Sequence, residues 1–331
     1  MSNRSSHLSS ITTLTTGDIV STGFRLYRSN FRAYFVLALR ATLWLLLPFL
    51  GFLGLGVVFS VFYDRLSPGL GILSLIVLSF FLLVISFQAL TAACLNMALI
   101  VRLAYEDFTS PEPTTPTTIV EMRNALKPRG RRILFTFIFS FSILFCINLM
   151  LSIANVPITN ILSPVFQTWN GEWLALLLAN LITFSIYTWI SARFFLVEAP
   201  IVLEDNVSAF QSIGRSWSLA QGSVLRILFV MTIAFLVTIP LYSLASVPPI
   251  LGLVAAIPVL NLGNEASQIA ALTRFLPGLA AGVLLFLVMN MMVMGFWQSI
   301  KAVLYYDLRS RREGFDINLS HRREEGTGDR G

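Results

Sequence analysis

Six long apolar runs, separated by short basic or polar connections, set the pattern of this chain. Residues 33–61, 69–101, 133–157, 173–197, 227–262 and 275–300 each have the length and purity of a membrane-crossing helix. Charge interrupts them only at Arg40 and Arg193. The fifth run is too long for one straight crossing, because its 36 residues as a helix would measure about 54 Å against a hydrocarbon thickness of about 30 Å. Pro240, Pro248, Pro249 and Pro258 supply breaks. The pattern therefore predicts a crossing over 227–246 and a re-entrant or surface-lying segment over 249–262.

Shorter amphipathic patterns precede the runs. In "GFRLYRSNFRAYF", residues 23–35, Phe24, Tyr27, Phe31, Tyr34 and Phe35 fall on one helical stripe, and Arg25, Arg28 and Arg32 on a second beside it. This predicts a helix lying in the headgroup region, rings at the acyl boundary and guanidinium groups among phosphates. Ile119, Met122 and Leu126 repeat the apolar spacing with Arg123 and Lys127 beside them, and Phe210, Ile213 and Trp217 make a third stripe. Thr118 with Glu121, and Ser208 with Gln211, have the spacing of capping boxes. Arg102 precedes Ile119 by 17 residues, as Arg193 precedes Phe210. The chain thus reads as three units, 18–107, 116–205 and 207–310, each an amphipathic helix followed by two spans. "SPEPTTPTT", residues 110–118, reads as a linker, and 1–17 and 311–331 as disordered tails.

Composition settles the solvent. With 56% hydrophobic residues, 12% charged and a mean hydropathy of +0.76, the 331-residue chain has too little polar surface for water. The expected fold class is all-α, a polytopic integral membrane bundle of six transmembrane helices with amphipathic helices on the cytoplasmic face. Twenty of the 23 basic residues then fall on one side, which the positive-inside rule makes the cytoplasm, and both termini with it. The net charge of +6 and pI of 9.7 are accounted for by this orientation, so nucleic acid is not an expected partner. No cleaved signal is expected in the Ser- and Thr-rich first 17 residues.

The residues offer no catalytic set, cofactor motif or metal site, and an enzyme is not expected. Histidine occurs only as His7 and His321, in the two tails. "YYD" at 305–307 and "GTGD" at 326–329 echo the motifs of intramembrane aspartyl proteases, but Asp329 sits in the polar tail. Cys94 and Cys146 read as small apolar groups. The candidate lipid-headgroup contacts are Arg25, Arg28, Arg32, Arg123 and Lys127. The candidate intramembrane charges are Arg40, Arg193 and Glu198, each arginine either a snorkelling anchor or an ion or headgroup site. A pairing of Arg40 with Glu198 is one expectation. Gly278 and Gly282 form a G-x-x-x-G, Gly51, Gly54 and Gly56 crowd the first span, and both groups suggest close helix packing. Gln88, Asn96, Asn180 and Asn290 either bond between helices or line a polar passage.

The opening stretch, together with "ARFFLVEAPIVLEDNVSAFQSIGRSWSLAQGSVLRIL" at 192–228, resembles the membrane-domain family found beside glycerophosphodiester phosphodiesterases and related six-span bacterial inner-membrane proteins. The resemblance implies a location in the inner cell membrane. It covers the membrane part alone, so the phosphodiesterase activity of the family's separate barrel domain is not carried over. Two functional readings remain. One is a non-enzymatic factor in membrane or envelope homeostasis, acting through membrane lipids and a protein partner or a second copy. The other is a transporter or channel for a small solute, suggested by internal repeats and intramembrane amides.

Overall fold

The computed structural model describes residues 14–62, 68–109, 116–169, 172–260 and 265–328, with the side chains of the last helix described to Gly314. Every regular element among them is helical. The helices are α1 (Thr16–Ser29), α2 (Phe31–Phe62), α3 (Pro68–Thr109), α4 (Pro116–Leu126), α5 (Gly130–Leu162), α6 (Glu172–Phe194), α7 (Glu198–Leu203), α8 (Ala209–Ala220), α9 (Val224–Leu260) and α10 (Glu265–Gly328). Turns of 3-10 helix follow α4 at Lys127–Arg129 and α5 at Ser163–Trp169. Six helices are long and apolar enough to cross a membrane, and the chain is a multi-pass integral membrane protein. Large apolar side chains such as Phe141, Met150, Ile161 and Phe184 lie exposed along these spans, a surface suited to lipid.

The chain forms two compact units, each assembled from separate stretches. The first comprises Met1–Thr22, Val101–Val230 and Ile300–Gly331. In it α5 packs along α6, and α7 and α8 pack across the end of that hairpin. Small residues at the α6 interface, Ala175, Ala179 and Ala192, are buried. The second unit comprises Gly23–Ile100 and Met231–Ser299, and its interior is likewise rich in alanine, with Ala38, Ala41, Ala89, Ala93, Ala234 and Ala271 buried.

Several expectations are corrected here. α9 does not break at Pro248 and Pro249 but continues as one helix to Leu260. A proline forfeits one intrahelical hydrogen bond, whereas unwinding the chain in hydrocarbon would strip several backbone groups of partners. The site of the expected break is also braced. A Cβ on Gly278 would come within 2.6 Å of the Pro248 carbonyl oxygen, and one on Gly282 within 2.5 Å of the Pro249 ring. The glycine pair therefore seats the two prolines within one chain. Of the first-span glycines, Gly51 faces the Leu82 side chain, while nothing among the described residues comes within 4 Å of a Cβ on Gly54 or Gly56.

α4 begins at Pro116, so Thr118 lies inside its first turn and not at the cap; most of the expected linker, 110–115, is outside the described residues. The Ser208–Gln211 capping box is present, with Gln211 N donating to Ser208 Oγ and Ser208 N to Gln211 Oε1. A further cap escaped the pattern: Thr15 N and Oγ1 both donate to Asp18 Oδ2 at the start of α1. The expected tail at 311 begins inside a helix, because α10 runs on to Gly328 and Arg311 is held by Asp307. Residues 1–13, with His7, lie outside the described residues.

Candidate functional site

The first unit gathers charges into a layer, buried at Glu198 and Asp307 and part-exposed around them, where α7 and α8 meet the start of α9 and the stretch of α10 from Lys301 to Glu313. Glu198 opens α7 and is only 4% exposed. Its Oε1 accepts from Lys301 Nζ, and Lys301 also lies 5.3 Å from the centre of the Phe195 ring. Glu198 Oε2 is buried without a hydrogen-bond partner. Beside the pair is a cavity of about 70 Å³, also lined by Thr136, Ser140 and Phe194. That is room for one or two waters, which could satisfy the second oxygen.

Two further clusters continue the layer. Arg226 Nη2 binds Asp307 Oδ2 at 3.0 Å, Arg311 Nε binds the same carboxylate at 3.1 Å, and both guanidinium groups donate to the Leu14 carbonyl. Arg215 bridges Glu204, at 3.2 Å, to Glu313, which Arg309 also binds at 2.6 Å. The Tyr305 hydroxyl donates to Glu204. These contacts cross-link α8, α9 and α10 through charge-assisted bonds, with Asp307 buried and Arg215, Arg309 and Glu313 part-exposed. At the rim, Arg129 donates to the Glu204 carbonyl and pairs with Asp205.

The Arg129 hydrogen bond and positive charge hold the Asp205 carboxyl below its ordinary 3.8. A carboxyl lowered on folding contributes stability above its unfolded value and loses it as pH falls through the folded one. Unfolding midpoints measured across this acid window should therefore drop less in Asp205→Asn than in the parent, and equal slopes would discard the linkage.

α8 sets its serines, not its rings, against the protein. Ser212 Oγ donates to the Val197 carbonyl and Ser216 Oγ to the Arg193 carbonyl at 2.7 Å, and both serines are fully buried. The expected apolar stripe points the other way: Phe210 and Trp217 are exposed, although each touches a span, at Phe139 and Phe194. The reason is packing distance, since a serine face allows close approach and satisfies carbonyls at a helix end.

Each expected site residue can now be placed. Arg25, Arg28, Arg32, Arg123 and Lys127 are all exposed. Beside the first three, Tyr27 and Tyr34 are buried within the second unit, where a Cβ on Gly295 would come within 2.8 Å of the Tyr27 ring. The aromatic stripe is thus shared between protein and lipid, with Phe24 and Phe31 exposed and the tyrosines inside. Arg40 is exposed and makes no ion pair among the described residues. Glu198 is engaged by Lys301 within the first unit. Arg193 is half-buried against two indoles, its guanidinium carbon 4.2 Å from the Trp189 ring centre and 4.3 Å from that of Trp217.

No family model, curated protein or solved structure matches the chain.

Among the described residues, no three His, Cys, Asp or Glu side chains come together as a metal-binding group. Lys301, Glu204, Arg226 and Glu313 are not among the expected site residues, and Asp307 figures there only through the YYD triplet. The Asp307–Arg311 and Arg309–Glu313 pairs follow the i, i+4 rule and were open to recognition. Asn96 bonds back to its own helix at the Ala92 carbonyl, while Asn155 Nδ2 reaches Asn180 Oδ1 at 3.4 Å and Thr183 Oγ1 at 3.2 Å across α5 and α6.

Proposed function

We propose that the chain is a bacterial inner-membrane protein with cytoplasmic termini that serves membrane or envelope homeostasis without catalysis, through contacts with lipid and with a protein partner or second copy. The observation that carries this reading is the two-sidedness of α1. Its tyrosine edge is fixed to Gly295 and Phe296, which leaves Arg25 and Arg28, with Arg32 at the start of α2, projecting from an anchored helix. Cations held in this way meet anionic headgroups without first paying to order the backbone. The basic asymmetry of the sequence supports the orientation, and the resemblance to the membrane-domain family supports the compartment.

The test extracts the protein with its surrounding lipid in polymer nanodiscs and identifies by mass spectrometry what co-purifies. Arg25→Gln/Arg28→Gln/Arg32→Gln is expected to lower the enrichment of anionic lipid by about tenfold, as each basic residue near the surface adds to the attraction. A protein partner lost with the same substitutions would extend the reading to a scaffold, and unchanged lipid and partners would reject it.

A transporter is the second reading, and one feature favours it. An open groove of about 380 Å³ between α5 and α6 is lined by Asn148, Ser152, Asn155, Asn180 and Thr183, at a depth where amides are costly without partners. A small solute retained in the nanodiscs without any protein partner would move the assignment there.

A further inference from the structure

We infer that Arg193 and its two tryptophans form a binding site for the phosphodiester group of a membrane phospholipid. The inference rests on the lipid-contact reading but on a different part of the molecule from α1.

Depth comes first. Arg193 lies twenty residues after Trp173 on one helix, about 30 Å at 1.5 Å per residue, which is the thickness of the hydrocarbon layer. With Trp173 exposed at one boundary, Arg193 falls at the other, where phosphates begin. Trp189 sits one turn deeper on α6. Trp217 is brought over the guanidinium by its neighbour Ser216, which bonds the Arg193 carbonyl.

Chemistry comes second. Both indoles have their ring centres within 4.3 Å of the guanidinium carbon and shield it by cation–π contact, which leaves the N–H donors in its plane as the groups that can bind a ligand. None of those donors has a hydrogen-bond acceptor, Nε is buried without a partner, and no carboxylate is within ion-pair distance among the described residues. The nearby acids are engaged elsewhere, Glu198 with Lys301 and Glu204 with Arg215. A planar fork of donors with no acid of its own matches a tetrahedral oxyanion, which it can bind with two parallel bonds. The outer surfaces of Trp189 and Trp217 are exposed, as is Phe210, and they offer acyl chains a wall beside the phosphate. A free phosphate would use the arginine and leave this wall bare.

The experiment uses the full chain, delipidated in detergent, and follows its thermal unfolding and its native mass spectrum as phosphatidylglycerol, phosphatidylcholine, diacylglycerol or inorganic phosphate is added. Both phospholipids should raise the midpoint and leave one retained lipid, and diacylglycerol should do neither. Arg193→Gln should keep its lipid-free midpoint and bind phospholipid at least about tenfold more weakly. Arg193→Lys keeps the charge without the fork, so an intermediate loss guards against misfolding as the cause. Undiminished lipid retention in both variants would overturn the site. An Arg193-dependent shift from inorganic phosphate alone, with none from phospholipid, would overturn the lipid assignment. Either failure leaves the α1 substitutions free to succeed, and the reverse also holds.

Discussion

Lys301→Met should destabilise the protein by about 3–5 kcal/mol, the range for breaking a buried ion pair by removing one partner. The pair itself is not the source of so large a number. Glu198 is 4% exposed and Lys301 is the one cation it binds among the described residues, so the substitution leaves a carboxylate inside the protein with no counter-charge among them. Its other oxygen already lacks a partner, and the cavity beside it holds too little water to replace an ammonium group. Glu198→Gln should cost less, because Lys301 is more exposed at 18% and keeps the face of Phe195. The double variant Glu198→Gln/Lys301→Met removes both charges and should recover most of the loss. Thermal unfolding of all four proteins in one detergent closes a double-mutant cycle. Simple additivity of the two single effects would show that the charges do not support each other.

The spans were legible because hydrocarbon imposes a length and a purity that few other environments require. The ion-pair layer was not, for a reason that its own distances show: Glu198 and Lys301 are 103 residues apart, and each sits at the edge of an apolar run where a charge reads as a lipid anchor. Only the local pairs on α10, spaced four apart, carried a signal in the sequence. Stripe direction was ambiguous for a related cause. In α1 and α8 an apolar stripe is equally suited to a protein groove or to lipid, and the deciding partners, Gly295 for Tyr27 and the Arg193 carbonyl for Ser216, lie on other helices. Proline was overweighted in α9, since the rule that it ends helices comes from water, where a freed carbonyl finds a partner at once. Nothing in the spacing of the arginines announced that Arg193 would lie against two indoles, one of them on another helix.

Gly278→Ala should be the most damaging loss or gain of a single methyl group in the spans, at about 1–3 kcal/mol, the usual cost of overpacking. Intrinsic preference points the other way, as alanine is favoured over glycine inside a helix by about 1 kcal/mol. Geometry decides the sign. A Cβ at this position would meet the Pro248 oxygen at 2.6 Å and the Gly252 Cα at 3.1 Å, both backbone atoms that cannot turn aside. To admit the methyl group, α9 and α10 must separate at the point where the two prolines have weakened the α9 ladder. The contact that lets α9 run unbroken would be lost with it, and the damage should extend to Gly282, whose added Cβ would press on the Pro249 ring. Gly54→Ala is the matched control, with no heavy atom of the described residues within 4 Å of the new Cβ, and it should be neutral or slightly stabilising. Unfolding midpoints in detergent separate the two cases. If Gly278→Ala and Gly54→Ala shift the midpoint in the same direction, the proline-glycine contact is not what holds α9 straight through its expected break.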